Sequence, residues 1–199
     1  MTTGNGSNVL ELQHISKHFA GVNALSDVSV TLRPGEVTAI VGENGAGKST
    51  LLKILGGDYV PDSGQIVLDG RPQHLRSPRD ANRRGIRIIP QEPEIVPDVP
   101  VAENVYIGTL PRHRGRVLDR RALNHKVTED IRRLGFDQVL DAETTGRRLS
   151  AAGRQLVEVL RALHGDARVV AFDEPTSSLT EHEVELLFRL IKRLRELAG

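Results

Sequence analysis

The spacing of apolar residues changes along the chain, and each change marks an element. Residues 1–8 are small and polar and are expected to form a disordered tail. Val9-Leu10-Glu11-Leu12 then opens a strand, and Leu25, Val28, Val30 and Leu32 alternate as a second one, ended by the turn Arg33-Pro34-Gly35. Glu36-Val37-Thr38-Ala39-Ile40-Val41 reads as a buried strand, and Leu51-Leu52-Lys53-Ile54-Leu55 as an apolar helical turn. After the turn Pro61-Asp62-Ser63-Gly64 comes a short strand, Gln65-Ile66-Val67-Leu68, closed by Asp69-Gly70. Ser77-Pro78-Arg79-Asp80 has the form of a helix start, with Ser77 as N-cap and Asp80 reaching back. Gly85 ends that helix, and Ile86-Arg87-Ile88-Ile89 is another strand, stopped at Pro90.

From Pro100 to Gly165 strand signals thin out and helical spacing dominates. Leu123, Val127, Ile131 and Leu134 share one helix face, with Asp119 placed to cap it. Ser150 can cap a second helix that turns Leu156, Val159, Leu160 and Leu163 inward. Val169-Val170-Ala171-Phe172 is an unbroken apolar run, as expected of a strand buried on both faces. A last helix, about Glu181 to Ala198, carries Val184, Leu187, Leu190, Leu194 and Leu197 inward. The pattern predicts an α/β core with an α-helical subdomain inserted at about residues 100–165.

One stretch carries chemistry. Gly42-Glu43-Asn44-Gly45-Ala46-Gly47-Lys48-Ser49-Thr50 fits G-x-x-x-x-G-K-[ST], between a predicted strand and a predicted helix. A polyphosphate concentrates negative charge in a small volume. Glycines let the backbone curl so that successive N–H groups face that charge, and the following helix adds the positive end of its dipole. Lys48 supplies a point charge and the Ser49 hydroxyl a ligand for Mg²⁺. Asp173-Glu174 ends the apolar run Val169–Phe172, where two adjacent acids are costly unless used. Asp173 can hold Mg²⁺ and Glu174 can polarise a water for in-line attack.

Composition narrows the partners. The 199 residues suit one large domain or a domain with an insertion, and the formal net charge of +1 gives no bulk electrostatic case for nucleic acid. There is no cysteine, hence no disulfide framework, and no apolar run of transmembrane length. The expectation is a cytoplasmic chain with any membrane role through a partner.

With these stations in order, the sequence resembles an ATP-binding cassette (ABC) ATPase: Gly42–Thr50 as Walker A, Val169–Asp173 as Walker B, and Glu174 behind it. Leu149-Ser150-Ala151-Ala152-Gly153 stands where that family carries its signature, usually LSGGQ; Gln91 stands at the Q-loop and Ser177-Ser178-Leu179-Thr180 at the D-loop. The resemblance runs from Val9 to Gly199. Ser77-Pro78-Arg79-Asp80-Ala81, Val101-Ala102-Glu103-Asn104-Val105 and Gln155-Leu156-Val157-Glu158-Val159 resemble the first cassette of monosaccharide importers of the ribose, galactose and xylose type. The resemblance implies a P-loop NTPase core, mostly parallel, with an N-terminal antiparallel β part. It implies Phe19 stacking on adenine and Gln91 sensing Mg²⁺ and the γ-phosphate. It also implies that Ser150 and its neighbours contact ATP held by an opposing cassette.

Two departures stand out. Ala151-Ala152 and Gly153 replace Gly-Gly-Gln in the signature, and the Cβ atoms restrict backbone approach to a phosphate. The family's switch histidine would follow one more strand, which the resemblance places between the Walker A and Walker B strands. The sequence stops before it, and His182 comes too soon after Glu174 to replace it. The chain is therefore expected to lack C-terminal strand structure and to be the N-terminal part of a longer cassette. The implied function is ATP hydrolysis with Mg²⁺, coupled to sugar uptake. The implied partners are membrane permease subunits, a second cassette and, indirectly, a periplasmic or extracellular sugar-binding protein, with the chain on the inner face of the cell membrane. The alternatives are a nucleotide-binding fragment without hydrolysis and an ABC ATPase outside transport.

Overall fold

The computed structural model describes residues 10–108, 119–177 and 179–198. The expected tail, residues 1–8, and Ser178 of the D-loop lie outside the described residues. The chain divides into two compact units. One comprises the chain up to Ile88, with Arg168–Asp173 and the residues from Arg195 on; the other comprises Ile89–Ala167 and Glu174–Leu194.

In the first unit, β1 (Leu10–Phe19) pairs antiparallel with β2 (Val22–Leu32) and, on its other edge, with β3 (Ser63–Leu68), which pairs with β4 (Arg71–Gln73). The order β2-β1-β3-β4 is the expected N-terminal antiparallel part. Both strands of the first hairpin are longer than the apolar alternation suggested. They run on to a tight Ala20-Gly21 turn in which both residues have positive φ, so the segment Gln13–His18, polar except for Ile15, joins the ladder. Asp69-Gly70 makes the same kind of turn between β3 and β4. Under this sheet lies α1 (Lys48–Gly56), and Leu51, Ile54 and Leu55 meet Leu10, Leu12, Ile15, Leu25, Ile66 and Leu68 in one core. A second sheet pairs β5 (Ile86–Ile89) with β6 (Val169–Phe172). Between β4 and β5, α2 (Pro78–Arg83) starts as expected: the Ser77 hydroxyl accepts from the Asp80 N–H and donates to the Asp80 carboxylate.

Two expectations about this unit fail for one reason. Glu36–Val41 is not a strand: the segment makes no ladder and is exposed, Val41 to 91%. Likewise β6 is buried only at Val169, with Val170, Ala171 and Phe172 half-buried. An apolar run becomes a buried strand only when neighbouring strands take up its N–H and C=O groups. Among the described residues, β6 has only β5 as a neighbour and Glu36–Val41 has none.

The second unit is helical: α3 (Val101–Val105), α4 (Arg120–Leu134), α5 (Ala151–His164) and most of α6 (Glu181–Ala198). The four apolar positions expected on α4 are all buried, and the Asp119 carboxylate accepts from the Ala122 N–H. On α5, Leu156, Val159 and Leu160 are buried and Leu163 is half-buried near the helix end. On α6, Leu187 and Leu190 are buried together with Leu186, whereas Val184 and Leu194 are half-buried and Leu197 is exposed. The inward stripe therefore ends before the helix does.

A buried polar residue joins α3 to the loop before it. Asn104 is fully buried, accepts from the Val96 N–H at 2.9 Å, and donates to the carbonyls of Val96 (3.1 Å) and Val99 (2.9 Å). One buried amide thus satisfies several backbone groups of that loop from the side that faces away from water. Glu158 and Arg161 of α5 continue the network at 2.7 Å, with Glu158 accepting from the Glu94 N–H. Burial pushes the Glu158 carboxyl above its ordinary value even beside Arg161.

Candidate functional site

The loop Gly42–Gly47 leads directly into α1. Gly47, the N-cap of that helix, lies in the left-handed region at φ +89°. A Cβ placed there would come 2.2 Å from the Ala24 carbonyl oxygen and 2.8 Å from the Leu25 side chain. Only a residue without Cβ lets the loop pass this close to β2 and still begin a helix. Gly45 shares the left-handed backbone, at φ +84°, but looks onto open space.

The Lys48 ammonium donates to the Gly42 and Glu43 carbonyls, each at 3.0 Å, so the cation folds back across its own loop. The Ala46 N–H donates to the Glu43 carbonyl at 3.1 Å and tightens the turn. On the next residue, the Ser49 hydroxyl donates to the Asp173 carboxylate at 3.0 Å. This contact joins the start of α1 to the residue after β6, 124 positions apart in sequence. A hydroxyl and a carboxylate at this distance are hard oxygen donors suited to Mg²⁺, which takes one or two protein ligands and completes its shell with water or phosphate. The residues present therefore fit that ion.

Phe19 ends β1 and is 38% exposed, with its ring edge-on to Tyr59 at 5.1 Å between centroids. In the second unit, the Gln91 amide donates to the Ser177 hydroxyl at 2.9 Å, which donates to the Glu174 carbonyl at 3.1 Å. Glu174 itself has a positive φ of +44°, a backbone state uncommon for a non-glycine residue.

Ser150 caps α5: its hydroxyl accepts from the Gly153 N–H at 3.1 Å. The Ala152 N–H donates instead to Glu183, at 3.2 Å. The other Glu183 oxygen accepts from the Thr180 N–H (3.1 Å) and hydroxyl (3.0 Å), a capping box at the start of α6. These bonds hold the Glu183 carboxyl below its ordinary value, those from Thr180 and Ala152 first. Sequence reasoning missed Glu183, although Thr180-x-x-Glu183 is a visible capping pattern. It also missed Tyr59, an isolated aromatic whose partner is distant in sequence.

Against solved structures, the chain matches an ATP-binding cassette of an ABC transporter in its ADP conformation, with TM-score 0.81 and 24% identity over 96% of this chain and 78% of that one. It also matches cbiO1 from Clostridium perfringens, with TM-score 0.79 and 25% identity over 97% of this chain and 76% of that one. Fold and loop together define a P-loop NTPase, as the sequence predicted. Within that class the chain belongs to the ABC transporter family, whose family model matches residues 25–177.

Among curated relatives, it is 50% identical over 188 residues to the ribose import ATP-binding protein RbsA 2 of Streptomyces avermitilis, covering 94% of this chain and 37% of the relative. It is also 50% identical over 186 residues to the arabinose import ATP-binding protein AraG of Rhizobium meliloti, covering 94% and 36%. The chain thus spans little more than a third of the length of these relatives.

Two predictions follow from the geometry. Gly47→Ala adds a backbone clash to left-handed strain, whereas Gly45→Ala adds the strain alone, about 1–2 kcal/mol. Urea unfolding should show the larger loss for Gly47→Ala. The second concerns pH. Because the folded Glu183 carboxyl binds its proton less tightly than the unfolded one, its contribution is complete above the ordinary value of 4.5 and fades as pH falls through the lower folded value. The stability difference between wild type and Glu183→Gln should therefore narrow when unfolding is measured from pH 7 down to pH 3.

Proposed function

We propose that this chain is the nucleotide-binding part of an ATPase that powers monosaccharide import. The observation that carries the reading is the Ser49–Asp173 bond beside a P-loop whose Lys48 is drawn over its own carbonyls. Together they assemble a cation, two hard oxygen donors and a helix N-terminus around the space a polyphosphate needs. Relatives at 50% identity that are ribose and arabinose import ATP-binding proteins support the sugar assignment.

In this reading Lys48 and the backbone N–H groups of Gly42–Thr50 bind the β- and γ-phosphates of ATP. Ser49 and Asp173 would hold Mg²⁺ and Gln91 would be its ligand and sensor; the ion would neutralise charge on the transferred phosphoryl group. Glu174 orients and polarises the attacking water: its oxygen bonds the γ-phosphorus as the bond to the β–γ bridging oxygen breaks and ADP leaves, and the water proton passes to the carboxylate. Phe19 stacks on the adenine. The segment Leu149–Gly153 contacts ATP bound by a second cassette. The partners are permease subunits at the inner face of the cell membrane and, through them, a sugar-binding protein. No helix among the described residues is long and apolar enough to cross a membrane.

A second reading is nucleotide binding without turnover. The observation favouring it is Glu36–Val41, which enters the P-loop with no ladder to hold it. The two readings separate on Glu174→Gln made in this chain. Under the first reading, the wild type releases phosphate, and the variant should bind Mg·ATP like it while phosphate release falls by about 100-fold or more. Under the second, both chains bind nucleotide and neither releases phosphate.

A further inference from the structure

The end of β1 is held by a cluster that the nucleotide reading does not use. The Asp62 carboxylate accepts from the Lys17 ammonium at 2.7 Å through one oxygen. Through the other it accepts from the His18 N–H at 2.7 Å, with the His18 ring Nδ1 at 3.2 Å. The Asp62 N–H donates back to the Ser16 carbonyl at 2.9 Å. One residue from the turn before β3 therefore fixes three successive residues, Ser16, Lys17 and His18, immediately before Phe19.

The Phe19 ring is set from two further sides. Tyr59 meets it edge-on, and the Lys17 ammonium lies 5.4 Å from its centroid, held there by Asp62. Tyr59 in turn is tied to α1: its N–H donates to the Lys53 carbonyl at 3.2 Å, and the Lys53 ammonium lies 5.5 Å from its ring. An aromatic residue at a hairpin tip, partly exposed, would otherwise sample several rotamers. Ordering it before a ligand arrives lowers the entropic cost of stacking.

We infer that Asp62 is the positioning residue of the base-binding surface. Through Lys17 and the backbone of β1 it holds Phe19 against Tyr59, so that the exposed part of the ring is ready to receive a flat nucleobase. The inference rests on the reading in which Phe19 stacks on adenine. It assigns Asp62 an effect on the base half of the ligand and none on the phosphate half.

The test compares two ligands that share phosphates and differ in the base: Mg·ATP and Mg·tripolyphosphate, titrated into the full chain. Phe19→Ala is the reference variant. Asp62→Ala should weaken ATP binding by about tenfold, part of the range seen when a stacking aromatic is removed, and leave tripolyphosphate binding unchanged. Asp62→Asn keeps the shape and loses the charge, and should fall between wild type and Asp62→Ala. Asp62 is 41% exposed at its side chain, so these variants are expected to fold. If Phe19→Ala lowers the ratio of ATP to tripolyphosphate affinity and neither Asp62 variant does, the positioning role is wrong and the stacking reading survives. A parallel loss of both ligands in the Asp62 variants also overturns it, because that is what a purely structural role produces. If Phe19→Ala leaves the ratio unchanged, the stacking reading fails and the inference falls with it.

Discussion

The site depends on the close passage of the phosphate loop over β2 at Gly47. With the Ala24 carbonyl 2.2 Å from where a Cβ would sit, the loop has one way to reach α1 without clash. That passage sets the first turn of the helix, and the first turn sets Lys48 and Ser49. The Lys48 ammonium then closes the loop on the Gly42 and Glu43 carbonyls, and Ser49 reaches the Asp173 carboxylate. Backbone geometry, a cation and the Ser49 hydroxyl thus follow from one steric constraint, while Asp173 is delivered by the end of β6, and the core of Leu51, Ile54 and Leu55 fixes the helix to the sheet. Preorganisation of this kind is what electrostatic stabilisation of a phosphoryl group requires.

Hydrogen bonds that do two tasks at once recur outside the loop. Glu183 caps α6 and also takes an N–H at the start of α5, so the first turns of the two helices share a carboxylate. Asn104 satisfies several backbone groups of the loop at 96–100 from a fully buried position. Asp62 ties the turn before β3 to the end of β1. In each case a side chain replaces the regular ladder where the backbone turns, and removing it would leave polar groups without partners.

Much of this was legible from the sequence because it is local. The stripe Leu123, Val127, Ile131 and Leu134 and the caps Ser77, Asp119 and Ser150 depend on residues within a turn or two of one another. So does the P-loop pattern, whose glycines and lysine occur at fixed offsets. What failed depends on neighbours distant in the chain. Glu36–Val41 and Val170–Phe172 have the composition of buried strands, but burial requires partner strands, and an apolar run does not reveal whether they are present. Leu197 fits the helical period yet is 39% exposed, because a period fixes which face a residue lies on and not how far along the helix that face is covered. Tyr59 and Asp62 gained their places through contacts about 40 residues away, which no local pattern encodes.

The central claim is that the loop Gly42–Thr50 binds a nucleoside triphosphate. The most direct measurement is a calorimetric titration of Mg·ATP into this chain and into Lys48→Ala, with circular dichroism confirming that both are folded. The account predicts saturable binding at one site per chain in the wild type, weakened by about tenfold or more in Lys48→Ala, the scale of losing charge-assisted bonds. A folded wild-type chain that takes up no nucleotide would contradict it.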